Sequence, residues 1–318
     1  MRLEDLRKAA LIGAGTMGAG IAVCFAQAGY DVMLQDISEE QLDKALHRIA
    51  ESQGILIQES VISAEEAAKA RERITTASSL EKALDGVQFV LEVVPEVLDL
   101  KLKVFGQIES LCSKDVILAT NTSGLSVTSI ASACQYPERV VGFHWVNPPE
   151  LVPLVEVIRG KHTDIETAHL ASDLARRLGK MPIMIQKEVP GFAMNRLQFA
   201  ALREALHLVE EGVVSPEDVD KAMSYGLGFR YPWLGPMKTA DLGGLDVFHS
   251  VASYLFEDLS SMKEPPEFFS RLINEGKLGI KTERGFYDYE NESTEEILRK
   301  RDLFFVRQWK LIQEVQGT

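Results

Sequence analysis

Short apolar runs alternate with stretches of helical periodicity along the chain as far as Pro190. The apolar runs predict seven strands, at residues 9–12, 31–35, 87–93, 116–119, 140–143, 153–158 and 182–185. Between the second and third of these strands, residues 38–53 and 63–73 predict two helices. Alternation of strands and helices is typical of a doubly wound, mostly parallel sheet. We therefore expect an α/β fold in this part of the chain.

The strand pattern stops after Pro190. Residues 192–211 predict one long amphipathic helix, and Ser215-Pro216-Glu217-Asp218 is typical of the start of another. A chain of 318 residues is also longer than one hydrophobic core usually supports. We expect two domains, residues 1–188 and an all-α domain at residues 189–318.

A glycine-rich turn follows the first predicted strand, Gly13-Ala14-Gly15-Thr16-Met17-Gly18. Gly13 allows a tight strand-to-helix turn, Gly15 lets backbone amides approach a pyrophosphate, and Gly18 lets the helix pack closely on the strand. The amino terminus of that helix then faces the phosphates. The pattern predicts a dinucleotide-binding domain of the Rossmann type.

Asp36 ends the second predicted strand, where an acid binds the ribose in such domains. A carboxylate there accepts hydrogen bonds from ribose hydroxyls and repels a 2′-phosphate, and no arginine follows it. We therefore predict that the cofactor is NAD rather than NADP.

The net charge of −13 and the isoelectric point near 5.1 argue against nucleic acid or an anionic membrane as a partner. The sequence shows neither an apolar signal segment nor a membrane-spanning run, which favours a cytoplasmic protein. Its three cysteines are far apart in apolar surroundings and predict reduced thiols. No residues have the spacing of metal ligands, so we expect no metal site and a small-molecule substrate.

Two predicted strands flank a proline-rich turn around Glu150. If the strands fold back on one another, positions equidistant from Glu150 face each other, and His144 and Glu156 are such a pair. A histidine can take a proton from a hydroxyl near neutral pH, and a carboxylate on its other nitrogen fixes the tautomer. Glu156 also lies in an apolar strand, where an unpaired charge is costly. The alternative is a capping histidine and an unrelated glutamate.

Ser123 follows the strand at residues 116–119, at the carboxyl end where ligands bind in open α/β sheets. Asn195 lies in the first turns of the long helix and is a candidate to face the substrate. Each residue also has a purely structural interpretation, as a turn serine or a structural asparagine. A hydrolase triad of Ser123, His144 and Glu156 is disfavoured, because Ser123 lacks the G-x-S-x-G turn that exposes a nucleophile.

Seven stretches together resemble the L-3-hydroxyacyl-CoA dehydrogenase family over almost the entire chain. They are Gly13-Ala14-Gly15-Thr16-Met17-Gly18, Glu92-Val93-Val94-Pro95-Glu96 with Lys101, Asn121-Thr122-Ser123, His144 with Asn147-Pro148, Leu154-Val155-Glu156-Val157-Ile158, Pro190-Gly191-Phe192 with Asn195-Arg196, and Lys281-Thr282-Glu283-Arg284-Gly285-Phe286-Tyr287. The resemblance implies oxidation of a 3-hydroxyl to a 3-oxo group with NAD, and a helical second domain that forms a homodimer.

The resemblance also implies a role for individual residues. His144 would be the base and Glu156 its orienting partner, while Ser123 and Asn195 would hydrogen-bond the reacting oxygen or its neighbourhood. The residues implied to join the glycine-rich turn at NAD are Asp36, Glu96, Lys101, Ser123, Asn147 and Lys281.

Two departures from the family concern the substrate. Residues 53–60 contain no lysine or arginine, whereas the resemblance implies that the CoA-dependent members carry lysines there for the CoA phosphates, so this segment does not predict strong CoA recognition. The segment at residues 226–236 is similar instead to gulonate dehydrogenase, lambda-crystallin and carnitine dehydrogenase. Arg230 in this segment is a candidate to bind a carboxylate. Three alternatives stay open: a CoA thioester, a free 3-hydroxy acid, or an idle NAD-binding structural protein.

Overall fold

A computed structural model describes residues 2–316 of the chain. These residues divide into two compact units. The first unit holds the residues up to Asn195 together with Asp302–Arg307, and the second holds Arg196–Arg301 and the residues from Gln308 on. The first unit is therefore not continuous in sequence.

The first unit is built on one eight-stranded sheet. Its strands are β1 (Lys8–Ile12), β2 (Asp31–Gln35), β3 (Ile74–Ala77), β4 (Phe89–Glu92), β5 (Ile117–Thr120), β6 (Val140–Trp145), β7 (Leu154–Ile158) and β8 (Met181–Ile185). They lie in the order β3-β2-β1-β4-β5-β6-β7-β8. Neighbouring strands are parallel except β6 and β7, which are antiparallel. The predicted doubly wound, mostly parallel sheet is confirmed.

Helices cover both faces of this sheet. They are α1 (Thr16–Gln27), α2 (Glu39–Gln58), α3 (Ala64–Glu72), α4 (Leu80–Leu84), α5 (Leu98–Leu111), α6 (Val127–Ala131) and α7 (Ile165–Arg177). Successive residues of β1 alternate between the faces: Leu11 packs in the core beneath α1 and α7, and Ile12 in the core beneath α5 and α6. Burial of a strand on both faces explains why the sequence shows continuous apolar runs.

The structure differs from the prediction in two places in the first unit. Strand β3 was missed, because Ile74-Thr75-Thr76-Ala77 at the sheet edge contains no apolar run. The predicted helix end at residue 53 was wrong, since α2 continues through Gly54 to Gln58. The continuation buries Leu56 in a small apolar cluster, which offsets the low helix propensity of glycine.

The second unit is helical, and no strand forms between residues 196 and 316. Its helices are α8 (Met194–Glu210), which starts within the first unit, α9 (Pro216–Lys221), α10 (Gly228–Arg230), α11 (Pro236–Gly243), α12 (Leu245–Asp258), α13 (Glu267–Asn274) and α14 (Thr294–Gln316), of which Asp302–Arg307 belongs to the first unit. Ser215 caps α9 by accepting a hydrogen bond from the Asp218 amide, as its sequence pattern predicts. Helix α8 starts two residues later than predicted, because Gly191 and Phe192 both have left-handed backbones. Among residues 2–316, no helix is long and apolar enough to cross a membrane.

Candidate active site

The glycine-rich turn lies between β1 and α1, and its glycines serve different purposes. Gly13 has a φ of 113°, and a Cβ atom there would lie 2.8 Å from the carbonyl oxygen of Val93. A Cβ atom on Gly18 would overlap the carbonyl oxygen of Gly13. A Cβ atom on Gly15, by contrast, would meet no protein atom within 4 Å. The fold itself requires Gly13 and Gly18, whereas Gly15 leaves open space at the amino terminus of α1, as a bound pyrophosphate requires.

Asp36 fixes the other side of this turn. One carboxylate oxygen accepts a hydrogen bond from the amide of Ala14, and the other accepts one from the amide of Ser38, each at 3.0 Å. A cavity of about 660 Å³ opens beside it, lined by Gly15, Asp36 and Leu100 among others. The size of the cavity, the acid and the open glycine together fit the adenosine and pyrophosphate parts of NAD.

His144 on β6 lies directly opposite Glu156 on β7 in the antiparallel register. The expectation that positions equidistant from Glu150 face each other is therefore confirmed. The Nδ1 atom of His144 is 2.8 Å from Oε2 of Glu156, and both side chains are buried. The pair lies in the part of the sheet where the antiparallel strand β7 joins the parallel strands.

The second carboxylate oxygen of Glu156 is also occupied. Oε1 accepts hydrogen bonds from the amides of Ala193 and Met194, each at 3.0 Å, at the start of α8. Burial alone would raise the pKa of Glu156, but the hydrogen bonds from His144, Met194 and Ala193 outweigh it and hold the pKa below its ordinary value. An ionised Glu156 favours a proton on Nδ1 of His144, which leaves Nε2 free to accept one.

Ser123 and Asn195 meet in the same unit. The side-chain amide of Asn195 donates a hydrogen bond to the carbonyl oxygen of Ser123 at 3.0 Å, and the Ser123 side chain is exposed. The segment of Ser123 is joined to the histidine strand as well, because Oδ1 of Asn121 accepts a hydrogen bond from the amide of Trp145. Hydrogen bonds thus join His144 to Glu156 and Asn195 to Ser123. The bond from the Trp145 amide to Asn121 connects the strand of His144 to the segment of Ser123.

Glu96 holds the Ser123 segment in place. Its Oε1 atom accepts hydrogen bonds from Oγ1 of Thr122 at 2.6 Å, from the amide of Ser123 at 2.9 Å and from the amide of Gly124 at 3.1 Å. Burial raises the pKa of Glu96, but these hydrogen bonds and the charge of Lys101 lower it by more, so the pKa lies below its ordinary value. Glu96 is therefore poised as an anion that orders the loop next to the cofactor cavity.

Lys101 is almost completely buried between oxygen atoms. Its Nζ atom is 2.7 Å from Oε1 of Glu92, 3.2 Å from the carbonyl oxygen of Val94 and 3.4 Å from Oε2 of Glu96. Glu92 also accepts a hydrogen bond from Oγ1 of Thr120 at 2.7 Å. Sequence reasoning missed Glu92, although an acid in an apolar strand is the same signal that drew attention to Glu156.

The remaining predicted site residues lie in exposed positions. Asn147 is exposed in the turn that follows β6. In the second unit, Arg230 is exposed at the end of α10, directly after a π-helical segment at Ala222–Leu227. Lys281 is exposed in the short 3₁₀ turn Ile280–Thr282. π-Helical turns are rare in proteins, and those that do occur are often found at functional sites. The segment that precedes Arg230 is therefore a candidate part of a functional site.

Comparison with known proteins identifies the two halves of the chain. The sequence profile described as "3-hydroxyacyl-CoA dehydrogenase, NAD binding domain" matches residues 8–189, and "3-hydroxyacyl-CoA dehydrogenase, C-terminal domain" matches residues 191–289. A 5-formyl-3-hydroxy-2-methylpyridine 4-carboxylate 5-dehydrogenase of Mesorhizobium japonicum is 37% identical, over 93% of this chain and 95% of its own. A 3-hydroxybutyryl-CoA dehydrogenase of Bradyrhizobium diazoefficiens is 36% identical, over 89% of this chain and 96% of its own.

A solved structure shows the same fold over nearly the whole chain. It is the crystal structure of a 5-formyl-3-hydroxy-2-methylpyridine 4-carboxylic acid 5-dehydrogenase, described as an NAD⁺-dependent dismutase. It is 34% identical and covers 97% of this chain and 99% of its own, with a TM-score of 0.90. With both family domains matched in order and an NAD cavity formed by the predicted turn, the chain belongs to the 3-hydroxyacyl-CoA dehydrogenase family of NAD-dependent oxidoreductases.

Proposed function

We propose that the protein is an NAD-dependent dehydrogenase that oxidises a hydroxyl-bearing carbon of a small free carboxylic acid. The observation that carries this proposal is the buried hydrogen bond of 2.8 Å between His144 and Glu156. An imidazole held by a carboxylate through one of its nitrogens is a common general base for a hydroxyl proton. A catalytically idle NAD-binding protein has no need of such a pair.

His144 removes the hydroxyl proton through Nε2, and Glu156 stabilises the imidazolium that forms. Ser123 and Asn195 hydrogen-bond the substrate oxygen, where preorganised donors are worth on the order of 3 kcal/mol each in comparable sites. Residues 13–18, Asp36, Glu96, Lys101, Ser123, Asn147 and Lys281 are the proposed NAD-binding set. When bound, NAD would supply the acceptor for the hydride from the carbon that bears the hydroxyl, so the product would be a carbonyl compound.

Packing around residues 53–60 supports a free acid rather than a CoA thioester. Leu56 of α2 is buried against Leu151 and Val306, and Arg307 pairs with Glu59 at 2.9 Å. The segment is apolar here because Asp302–Arg307 packs on it within the first unit. The resemblance implies that CoA phosphates dock on these helices, but residues 53–60 supply no cation for that contact and the charge of Arg307 is paired with Glu59.

Arg230 is the proposed carboxylate-binding residue, since an arginine binds a carboxylate with two parallel hydrogen bonds. Arg230→Lys keeps the charge but loses that geometry, so we expect the KM for the acid to rise about tenfold with little change in kcat. Lys238→Ala is the control for loss of positive charge, because it removes another cation that lies close to Arg230 in the sequence. An unchanged KM in Arg230→Lys and Arg230→Ala would contradict the assignment.

A CoA thioester is the second candidate, because a similar relative is a 3-hydroxybutyryl-CoA dehydrogenase. The deciding experiment measures initial rates of NAD reduction at matched concentrations. The substrates are L-3-hydroxybutyryl-CoA, free L-3-hydroxybutyrate, L-gulonate and L-carnitine. The aldehyde 5-formyl-3-hydroxy-2-methylpyridine 4-carboxylate is tested in two separate assays, for reduction with NADH and for oxidation with NAD. A clear preference for an acid supports the proposal, and a preference for the thioester replaces it with the second candidate.

The catalytic assignment has its own test. We expect His144→Gln to bind NAD with an unchanged Kd and to lose about 10²- to 10⁴-fold in kcat, the usual contribution of a general base. Turnover near that of the unaltered protein would refute the role of His144 whichever substrate is preferred.

We also propose a homodimer, as the family resemblance implies. Helices α11 and α12 expose an unusual number of large apolar side chains, including Met237 at 80% and Phe256 at 72%. An apolar surface of this kind marks an interaction site, and a second copy of the chain is the occupant that we propose. Light scattering tests this directly: a mass of two chains supports the dimer, and a mass of one chain contradicts it.

A further inference from the structure

The five residues from Gly191 to Asn195 include one residue that we place in catalysis, Asn195, and contact the other three. Asn195 donates a hydrogen bond to Ser123, and the amides of Ala193 and Met194 donate to Glu156. The remaining contact is made by Phe192, whose ring packs at a tilt against the imidazole of His144. This segment therefore links the proton-accepting pair to the loop that carries Ser123.

The ring of Phe192 is placed to restrict His144. The two ring centroids are 5.7 Å apart and the ring planes are inclined at 58°. Phe192 is only 2% exposed and packs in the core beneath α5 and α6. A buried aromatic ring at this distance and tilt limits rotation of the imidazole and keeps water from that side of it.

The backbone of Phe192 is as unusual as its contact. Its φ of 52° lies in the left-handed region, which costs a residue with a bulky side chain free energy and is found most often at functional sites. Gly191 before it has a φ of 75°. Two successive left-handed residues reverse the chain, and the next two amides then reach Oε1 of Glu156.

We propose that Phe192 is a positioning residue for the pair of His144 and Glu156. Its ring holds the imidazole with Nδ1 toward Glu156, and its left-handed backbone directs two amides to the other oxygen of the same carboxylate. This inference rests on the proposed function, because it assumes that the pair accepts the substrate proton.

The test compares Phe192→Leu and Phe192→Gly with Phe105→Leu in the full-length protein. Phe105 is fully buried in the same core and serves as the control for lost packing. The Gly variant adopts the left-handed backbone without strain and so tests the ring alone. The Leu variant keeps more of the buried volume, so it remains informative if the Gly variant does not fold. Nitrogen-15 spectra of histidine-labelled protein report the tautomer of His144, and steady-state kinetics with NAD report kcat and KM separately.

For both Phe192 variants we expect a mixture of His144 tautomers and a kcat lowered about 10- to 100-fold, the usual cost of a small misplacement of a catalytic group. We expect the KM and the Kd of NAD to stay within about twofold, and Phe105→Leu to keep one tautomer. A single tautomer and an unchanged kcat in the Phe192 variants would overturn the inference. If the unaltered protein turns over no substrate, the proposed function fails, while the spectra still decide whether Phe192 positions His144.

Discussion

Replacing Glu156 by glutamine isolates the charge that we assign to the proton-accepting pair. The amide has the same shape as the carboxylate, and its oxygen can still accept hydrogen bonds from Ala193 and Met194. Its NH₂ group, however, would face Nδ1 of His144 and requires an acceptor there. The imidazole then carries its proton on Nε2, where it cannot act as a base.

The size of the effect follows from the geometry. With Nδ1 and Oε2 at 2.8 Å, the charge centres of an imidazolium and a carboxylate lie about 4 Å apart. At an effective dielectric constant of about 20, their attraction is about 4 kcal/mol. Since about 1.4 kcal/mol corresponds to a factor of ten in rate, kcat should fall about 10³-fold in Glu156→Gln.

The assay measures kcat and kcat/KM together with the Kd of NAD, which should stay within about twofold because Glu156 does not line the cofactor cavity. Glu109→Gln is the matched control, because Glu109 is another carboxylate that accepts two backbone hydrogen bonds and pairs with an arginine. Retention of kcat within about tenfold in Glu156→Gln would refute the reasoning. An equal loss in the control would show that stability, rather than the pair, is responsible.

Three further predictions concern the cofactor turn and the pH dependence of folding. Gly15→Ala should leave the free energy of unfolding unchanged but raise the Kd of NAD, whereas Gly13→Ala should destabilise the protein by about 1–3 kcal/mol, as measured by urea unfolding and cofactor titration. Asp36→Ala should raise the Kd of NAD about 10-fold or more, because it removes the acceptor for the Ala14 amide as well as the proposed ribose contact, and an unchanged Kd would contradict this. Because the pKa of Glu156 is lowered in the folded state, its stabilising contribution is complete above the unfolded value of about 4.3 and is lost as the pH falls through the lowered folded value. The gap in unfolding free energy between the unaltered protein and Glu156→Gln should therefore narrow below about pH 4, as urea unfolding at several pH values will show.

The sequence predicts the nucleotide-binding architecture well for a physical reason. Strands buried on both faces must be apolar throughout, and a turn such as that at Gly13 tolerates no other residue. Both features therefore impose a residue pattern that is recognisable in the sequence. The facing of His144 and Glu156 was also predictable, because a short antiparallel turn fixes its register by counting. Strand β3 has no such pattern, because a strand at the edge of the sheet needs few apolar residues.

Contacts made through the backbone could not be predicted. Nothing in the letters of the sequence indicates that Glu156 also accepts two amides from residues 193 and 194, or that Glu96 accepts two from the Ser123 loop. These bonds depend on how segments far apart in sequence meet, and any residue type supplies an amide. The left-handed backbone of Phe192 could not be predicted either, because residues with a bulky side chain rarely adopt that conformation.

The discontinuity of the first unit has a consequence for how the chain folds during synthesis. Domains generally fold as they emerge from the ribosome, amino-terminal part first. Here Leu56 and Leu151 await Val306, which is made only after helices α8 to α13 have been synthesised. The nascent nucleotide-binding unit must therefore carry an uncovered apolar patch for most of the time that the helical part is being made. A gene fragment that stops after Asn195 would retain that patch, and a usable fragment needs residues 302–307 supplied through a linker.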